Sequence, residues 1–307
     1  MTTPPPEKSP KPGVNIYGGA VVNPYKLTIL VEELGIPYNY ISVDFAQNEH
    51  KSAWFKAINP NGRIPAMVHV KDDGTTINLF ESGACMLYLV AEFDSSHKVS
   101  YPYASPEYWT QVSWLSWQIA GYGPMMGQSC HFARYFPLAS PAEGEKGKSG
   151  DDGKFSKEAM EYGTWRYAAE ARRLNSVLEE QLSTPGQKYI VPGEKPTIAD
   201  MAVFIYAYSA AWCGVDINDF PNVKAWIGRL LERPGFKKGL QVPSPYSYSD
   251  SQVLDPGMTE AHGTGRKFGT LYIKMCSEEW AAQGQVPALP SDVIHLGEHW
   301  PSEVILY

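Results

Sequence analysis

One short stretch of the chain, from Asn61 to Ser82, combines residue types that could bind a small ligand. It begins as Asn-Gly-Arg-Ile-Pro-Ala-Met-Val-His-Val and, after a turn, continues as Asn-Leu-Phe-Glu-Ser-Gly-Ala. The stretch contains a loop, then a proline that leads into a strand, and finally a polar pair that opens a helix. Together these parts would form a socket lined by backbone atoms. Free N–H groups at a helix start attract carboxylates. We therefore expect the socket to bind a small anionic peptide.

The polar pair in this stretch has two interpretations. Glu81 and Ser82 follow an apolar strand and precede a helix. They could bind a ligand through a carboxylate, a hydroxyl and free backbone N–H groups. They could equally be good N-terminal helix residues that cap their own turn. The residues by themselves leave both interpretations open.

The elements that position the socket are those of a small α/β domain with a mixed sheet. One helix is opened by Asn23-Pro24 and ended by Gly35, with apolar residues at i, i+3, i+4 and i+7. An Asp-Gly step between two apolar runs predicts a hairpin. The predicted order is: strand Val14–Gly18, helix from Asn23, strand Tyr38–Val43, short helix His50–Ala57, strands Pro65–Val70 and Thr75–Phe80, and helix Glu81–Phe93.

A linker rich in Ser, Tyr and Pro then leads into a helical region. Helices are predicted over Tyr108–Ile119, Lys157–Leu182, Thr197–Trp212 and Val223–Arg233. The third helix starts with capping-box spacing, in which Asp200 replaces the usual Glu or Gln. We expect a flexible tail over 1–13, an α/β domain over 14–95, an all-helical domain over 106–240 and an extension over 241–307. Aromatic residues such as Trp280 and Trp300 suggest that the extension docks on the body.

Composition narrows the classes of function. The 307 residues carry a net charge of -7 without a basic block, which gives a nucleic-acid role little support. No segment has the apolar run of a membrane span or of a secretory signal. The four cysteines are scattered and lack metal-ligand spacing, so we expect buried, inert thiols in a reducing compartment. The sequence therefore predicts a soluble, cytoplasmic protein that holds no metal.

Four short stretches together resemble one known family. They are Asn59-Pro60-Asn61-Gly62-Arg63-Ile64-Pro65-Ala66, Glu81-Ser82-Gly83-Ala84, Gly123-Pro124-Met125-Met126-Gly127-Gln128 and Thr197-Ile198-Ala199-Asp200. Their order and spacing over residues 14 to 240 are similar to a cytosolic glutathione transferase. Within that family, the chain resembles the fungal branch related to the yeast nitrogen-regulator prion protein and its bacterial relatives. The resemblance implies a thioredoxin-like domain followed by an all-helical domain.

The resemblance also implies glutathione as cosubstrate and assigns its contacts. Pro65 would be cis, so that the Ile64 backbone pairs with the cysteinyl backbone of the peptide. An ordinary trans proline at a strand start is the alternative. Glu81 would receive the γ-glutamyl ammonium and Ser82 would donate to its carboxylate. His50 and Arg63 would lie near the glycine carboxylate, although a solvated histidine and a loop-bracing arginine are equally ordinary.

Two residues are candidates for the group that activates the thiol of glutathione. The fungal branch places an asparagine at the start of the first helix, and Asn23 matches that position. Here Pro24 replaces the glycine that usually follows, and Asn23 is also well suited to cap its own helix. Tyr17 at the end of the first strand is the competing activator, as in tyrosine-type transferases.

The second substrate would bind between the two domains. Five side chains are candidates for contacts with a hydrophobic electrophile: Tyr122, Met125, Phe132, Arg134 and Trp212. Core packing is the alternative for each of them.

Three functions follow from the resemblance. The first is a glutathione-dependent transferase that directs the thiolate to a hydrophobic electrophile, by conjugation or thiol-dependent reduction, as a homodimer. The second is a specialised fungal biosynthetic enzyme that catalyses elimination, isomerisation or cyclisation. The third is a non-enzymatic regulator or binding protein.

Overall fold

The computed structural model of the chain describes residues 3–45, 47–132 and 157–248, without side chains for 157–161. The strands are β1 (Gly13–Gly18), β2 (Tyr38–Ser42), β3 (Ala66–Val70) and β4 (Thr76–Phe80). The helices are α1 (Pro24–Leu34), α2 (Ala53–Ile58), α3 (Ser82–Phe93), α4 (Pro106–Trp117), α5 (Gly123–Cys130), α6 (Lys157–Ser183), α7 (Ile198–Ala207), α8 (Pro221–Leu231) and α9 (Pro234–Gly239). A π-helical stretch, Gln118–Tyr122, joins α4 to α5.

The four strands form one mixed sheet in the order β2-β1-β3-β4. β1 pairs with β2 in parallel and with β3 antiparallel, and β3 and β4 form the hairpin that the Asp-Gly step predicts. Successive residues of a strand point to opposite faces. Ile16 accordingly packs with α1 and α3 on one face, whereas Tyr17 packs with Trp54 and Phe55 of α2 on the other. The predicted thioredoxin-like domain is confirmed.

Helix α1 is buried on almost all sides, which its amphipathic pattern does not predict. The cap is as expected, since Gly35 adopts a φ of 74° and its N–H donates to Val31. The polar residues Thr28 and Glu33 on the far side of the apolar stripe are buried as well, and both contact α9. The Thr28 hydroxyl donates to the Gly239 carbonyl at 2.9 Å. A Cβ on Gly239 would lie 2.5 Å from the Ile29 Cα, so only glycine permits this approach.

The helical region forms its own core around α7, whose residues are all buried. Its capping box is confirmed. The Thr197 hydroxyl accepts from the Ala199 N–H at 3.2 Å, and the Asp200 carboxylate accepts from the Thr197 N–H at 2.8 Å. Asp200 also accepts from the Ile190 N–H and the Trp226 indole, both at 2.9 Å. The box therefore has a structural role, as the sequence suggests. The helix ends at Ala207 rather than at Trp212, which lies in a separate 3-10 turn.

The N-terminal segment differs from the flexible tail that the sequence predicts. Its described part packs on the α/β domain from a 3-10 turn at Pro6–Lys8. The Lys8 ammonium donates to the Ser42 carbonyl and pairs with Glu49 at 3.3 Å. The Lys8 carbonyl accepts from the Tyr17 hydroxyl at 2.8 Å. The ammonium and the backbone carbonyl of Lys8 thus hold in place a segment whose composition predicts flexibility.

The extension leaves the helical region along α1. Tyr246 is buried, and its ring meets Tyr25 edge-on with centroids 4.8 Å apart. The Tyr25 hydroxyl donates to the Ser244 carbonyl at 2.8 Å. Residues 249–307, the greater part of the extension, lie outside the described residues. Among the helices of the described ranges, none is long and apolar enough to cross a bilayer.

Candidate functional site

The loop before β3 is closed by a buried asparagine. The Asn59 amide donates to the Arg63 carbonyl at 2.6 Å, and its oxygen accepts from the Asn61 N–H at 3.0 Å. The Ile64–Pro65 peptide bond is cis, as the resemblance implies. Ile64 is itself buried against the α2 face of the sheet. The sequence indicates Asn59 only as part of a turn, whereas the structure makes it the residue that shapes the loop.

His50 and Arg63 lie on adjoining segments at this loop. A Cβ on Gly62 would lie 2.9 Å from the His50 carbonyl oxygen, so the two segments touch through backbone. His50 is buried, its ring stacks on Phe45 at 4.0 Å, and burial lowers the pKa of its imidazole. Arg63 is exposed, and no ion pair among the described side chains involves it. The loop-bracing alternative for Arg63 therefore has no support here.

Glu81 adopts an unusual backbone conformation at the start of α3. Its φ is 66° and its ψ is 119°, a region that residues with a Cβ rarely enter. Its side chain is exposed and makes no capping hydrogen bond. Such strain is typical of functional sites, where the surroundings hold a residue in place. The interpretation of Glu81 as a cap for its own turn is not realised.

Asn23 contacts the helical region rather than capping α1. Its backbone is already helical, with a φ of -65° and a ψ of -38°, and its side chain makes no cap hydrogen bond. The side chain instead lies near the hydroxyl of Tyr206 on α7, and its polar influence lowers the Tyr206 pKa against a larger increase from burial. The capping alternative for Asn23 is therefore not realised. Since an amide nitrogen carries two hydrogens, one remains for a ligand.

Lys26, one turn further along α1, is a residue that the sequence analysis missed. It is only 3% exposed, and its ammonium donates to the Gln118 side chain at 2.7 Å and to the Ser82 hydroxyl at 3.3 Å. It also lies over the Tyr206 ring, 5.4 Å from the centroid. Asn23, Lys26, Ser82 and Tyr206 thus come together where α1, α3 and α7 meet. The spacing of Asn23 and Lys26 on one helix was the only sequence signal.

Tyr17 lies on the opposite face of the sheet from this cluster. It is fully buried against Trp54 and Phe55, and its hydroxyl is bound to the Lys8 carbonyl. Burial raises the pKa of the Tyr17 hydroxyl to about 12. A phenol in this position is neither free to reach a ligand nor easily ionised. The structure thereby disfavours Tyr17 as the thiol activator.

Four of the five residues predicted for the second substrate are described, and their surroundings differ. Tyr122 is fully buried, stacks on Trp117 at 4.9 Å and donates to the Asn175 side chain at 3.0 Å, so it belongs to the core. Phe132 stacks on Tyr167 at 5.2 Å. Met125 is half-buried against the core. Arg134 lies outside the described residues.

Trp212 is the predicted pocket residue with the most informative surroundings. It is 5% exposed, and its ring meets Tyr248 edge-on at 5.2 Å. The Tyr248 hydroxyl donates to the Ala20 carbonyl at 3.4 Å, in the loop that precedes Asn23. The start of the extension therefore bridges the helical region and the loop beside the candidate site.

The described cysteines are buried thiols of the two domains. Cys85, Cys130 and Cys213 are buried and form no disulfide bonds among the described residues, as expected from their scattered positions. Burial raises the pKa of the Cys85 thiol to about 12, so it stays protonated at neutral pH. Cys276 lies outside the described residues.

Comparison with known proteins defines the class to which this fold and site belong. Residues 23–92 match the glutathione S-transferase N-terminal domain, and residues 167–234 match the C-terminal domain. The chain is 31% identical over 242 residues to the glutathione S-transferase-like protein gedE of Aspergillus terreus, covering 76% of this chain and 96% of gedE. The chain belongs to the glutathione S-transferase family.

Two further relatives refine its place in the family. The disulfide-bond oxidoreductase YfcG of Escherichia coli is 30% identical over 231 residues, covering 74% of this chain and 94% of YfcG. The glutathione transferase URE2P6 of Phanerochaete chrysosporium, solved in complex with oxidised glutathione, is 33% identical with a TM-score of 0.63. That similarity covers 75% of this chain and 96% of URE2P6. The predicted relation to the fungal branch is confirmed.

Proposed function

We propose that the protein is a glutathione-dependent transferase that binds reduced glutathione and directs its thiolate to a hydrophobic electrophile. The observation that carries the proposal is that the first turn of α1, the start of α3 and the cis Ile64–Pro65 bond meet. Lys26 donates to Ser82, and the strand that follows Pro65 pairs Ala66 with Phe80, the residue before Glu81. The relative URE2P6 was crystallised with oxidised glutathione, which supports the ligand. Conjugation and thiol-dependent reduction are both compatible with this site.

The peptide would extend from the start of α3 to the loop before β3. Its γ-glutamyl carboxylate would meet the Ser82 hydroxyl and the free N–H groups of the first turn, where the helix dipole favours negative charge. Its ammonium would pair with Glu81. The glycine carboxylate would face Arg63 and His50 at the other end, and the backbone of Ile64 would pair with the cysteine residue.

The thiolate would be stabilised by Asn23. Its side-chain amide carries two N–H groups, so it can interact with the nearby Tyr206 hydroxyl and still donate to the sulfur. A hydrogen bond to a charged acceptor is worth about 1.5–3 kcal/mol, which corresponds to a thiol pKa lower by about one to two pH units. In this proposal the nucleophile is the thiol of glutathione, and no cysteine of the protein is required.

The test is the pKa of the bound thiol, measured from the ultraviolet absorbance of the thiolate as the pH is varied. In the wild type, the pKa of the bound thiol should lie below that of free glutathione. In Asn23→Ala, it should return to the value of free glutathione. Asn39→Ala on β2, whose amide reaches the Pro12 carbonyl at 3.4 Å, is the matched control and should behave as the wild type. Tight binding with an unshifted thiol in the wild type would instead indicate the non-enzymatic binding protein.

A specialised biosynthetic enzyme is the second candidate, and it is favoured by Tyr248. This residue extends from the helical region to the Ala20 carbonyl beside Asn23, so the extension would restrict the cleft to one defined substrate. Truncation after Leu240 should then broaden the range of electrophiles that are turned over. Unchanged turnover of a large substrate would contradict this function.

The assembly and location follow from the family and remain proposals. We expect a cytoplasmic homodimer, with the domains divided as 14–95 and 106–240. Light scattering of the purified protein measures the mass directly, and a monomeric mass at micromolar concentration would contradict the dimer.

A further inference from the structure

A buried lysine without a carboxylate partner is costly, and Lys26 is such a residue. Within the described part of the chain, no acidic group lies within salt-bridge distance of its ammonium. Burial lowers the pKa of Lys26 to about 7, and the negative charge of Glu81 opposes this effect only in part. Removing an ammonium from water without full compensation is expensive. A strongly perturbed group beside a candidate site is more typical of function than of stability.

The contacts of Lys26 determine the orientation of the Ser82 hydroxyl. An ammonium can only donate, so Ser82 accepts from it through the oxygen. The hydroxyl hydrogen must then point away from Lys26. The Gln118 oxygen, at 2.7 Å, fixes the ammonium from the π-helical stretch and prevents it from turning away. Lys26 therefore leaves Ser82 ready to donate to a ligand.

We propose that Lys26 is a positioning residue for the carboxylate end of the peptide, which orients Ser82 and gains a proton when an anionic ligand binds at the start of α3. This inference rests on the glutathione site proposed above and adds a proton-linked residue to it. No covalent step is involved, and the proton comes from the buffer.

The groups around Lys26 determine the sign of the effect. Glu81 and Ser82 face it from the start of α3, Gln118 from the π-helical stretch and Tyr206 from α7. Burial keeps the Tyr206 hydroxyl protonated, so Tyr206 adds no charge near neutral pH. A ligand carboxylate added to this set favours the charged lysine. Affinity should therefore be greatest below the pKa of about 7 and fall as the pH rises above it.

The experiment is calorimetric titration with S-methylglutathione, which lacks an ionisable thiol. Binding is measured slightly above neutral pH in buffers that differ in ionisation enthalpy, so that the heat reports proton uptake. The wild type should take up about one proton per site, and its affinity should fall about tenfold over roughly one pH unit above neutrality. His50, at the other end of the site, is a second group that can gain a proton beside a ligand carboxylate, so variants are needed.

Two variants separate proton uptake by Lys26 from proton uptake by other groups. Lys26→Met has no proton to gain, and Lys26→Arg is always charged, so both should bind without proton uptake. Lys26→Arg should retain more affinity than Lys26→Met because it keeps the charge. The control is Lys237→Met on α9, where an exposed lysine pairs with Glu232 at 3.1 Å, and it should take up a proton as the wild type does.

The outcomes separate this inference from the proposed function. Binding by the wild type without proton uptake would overturn the role of Lys26 and leave the glutathione site intact. Undiminished uptake in Lys26→Arg would do the same and would assign the proton to His50. A wild type that binds neither glutathione nor S-methylglutathione would overturn both. Because the absence of uptake in the wild type and undiminished uptake in Lys26→Arg each overturn the role of Lys26, the test does not depend on Lys26→Met folding.

Discussion

The two ends of the candidate site are built in different ways. The helix end, formed by Lys26, Ser82 and Tyr206, is buried and joins α1, α3 and α7. The loop end, formed by His50 and Arg63, lies on neighbouring segments of one domain, and its arginine is exposed. Electrostatic and hydrogen-bond interactions are stronger away from water. The helix end should therefore supply most of the affinity, and the loop end should mainly select the ligand.

The largest expected effect is that of Ser82→Ala at the helix end. The change removes a donor to the ligand carboxylate and the acceptor for Lys26. A lost hydrogen bond to a charged group costs about 1.5–3 kcal/mol, or roughly a 10- to 100-fold loss of glutathione affinity by calorimetry. Ser113→Ala on α4, where an exposed hydroxyl donates to the Trp109 carbonyl at 2.8 Å, is the control. Equal affinities of the two variants would refute the assignment of Ser82.

A second prediction concerns the strain at Glu81. Glycine readily adopts a φ of 66°, so Glu81→Gly should raise the free energy of unfolding by about 1–3 kcal/mol while glutathione binding weakens. Glu81→Ala removes the same carboxylate but keeps a Cβ, so it should lose affinity without gaining stability. Thermal unfolding distinguishes the two variants. If both are equally stable, the backbone of Glu81 is not strained in solution.

At the loop end, Gly62→Ala should lower stability by about 1–2 kcal/mol. Gly62 has a φ of 59°, and an added Cβ would lie 2.9 Å from the His50 carbonyl oxygen. Gly74→Ala in the β3–β4 turn is the matched control, because its φ is 84° but nothing lies within 4 Å of its added Cβ. The difference in denaturant midpoint between the two variants measures the close approach. No difference would mean that the segments are not in backbone contact.

The smallest effect is expected for Arg63→Ala. An exposed charge contributes little in water, so affinity should fall by only about two- to fivefold and the loss should shrink as salt is added. Arg173→Ala on α6, an exposed arginine that pairs with Glu170 at 2.8 Å, should not change binding. A loss that matches that of Ser82→Ala would remove the distinction between the two ends.

The elements of the α/β domain could be predicted because their signals are local. The Asp-Gly step between two apolar runs predicts the hairpin of β3 and β4, and Gly35 predicts the end of α1. The cis Ile64–Pro65 bond followed from the family resemblance instead. The hairpin and the end of α1 each depend on residues that lie close together in the chain.

The helix end could not be predicted in the same way. A lysine within an amphipathic helix is normally interpreted as solvent-exposed, and only packing against α7 and the π-helical stretch buries Lys26. Tyr206 lies in an almost entirely apolar helix, where nothing marks one aromatic residue as functional. The same cause explains why the sequence predicts Tyr122 in the pocket, whereas the structure buries it in the core. Burial by distant elements leaves no pattern in a single segment.

The close contact of Gly239 with Ile29 has a consequence for protein engineering. The helix that carries Asn23 and Lys26 is fixed to the helical domain by this contact, by Thr28 and by the Arg233–Glu33 ion pair at 2.6 Å. A chimera that joins this α/β domain to the helical domain of a relative must therefore keep a glycine at the position of Gly239. Any larger residue there would push α1 outward and displace Asn23 and Lys26 together, even though it lies far from both in the chain.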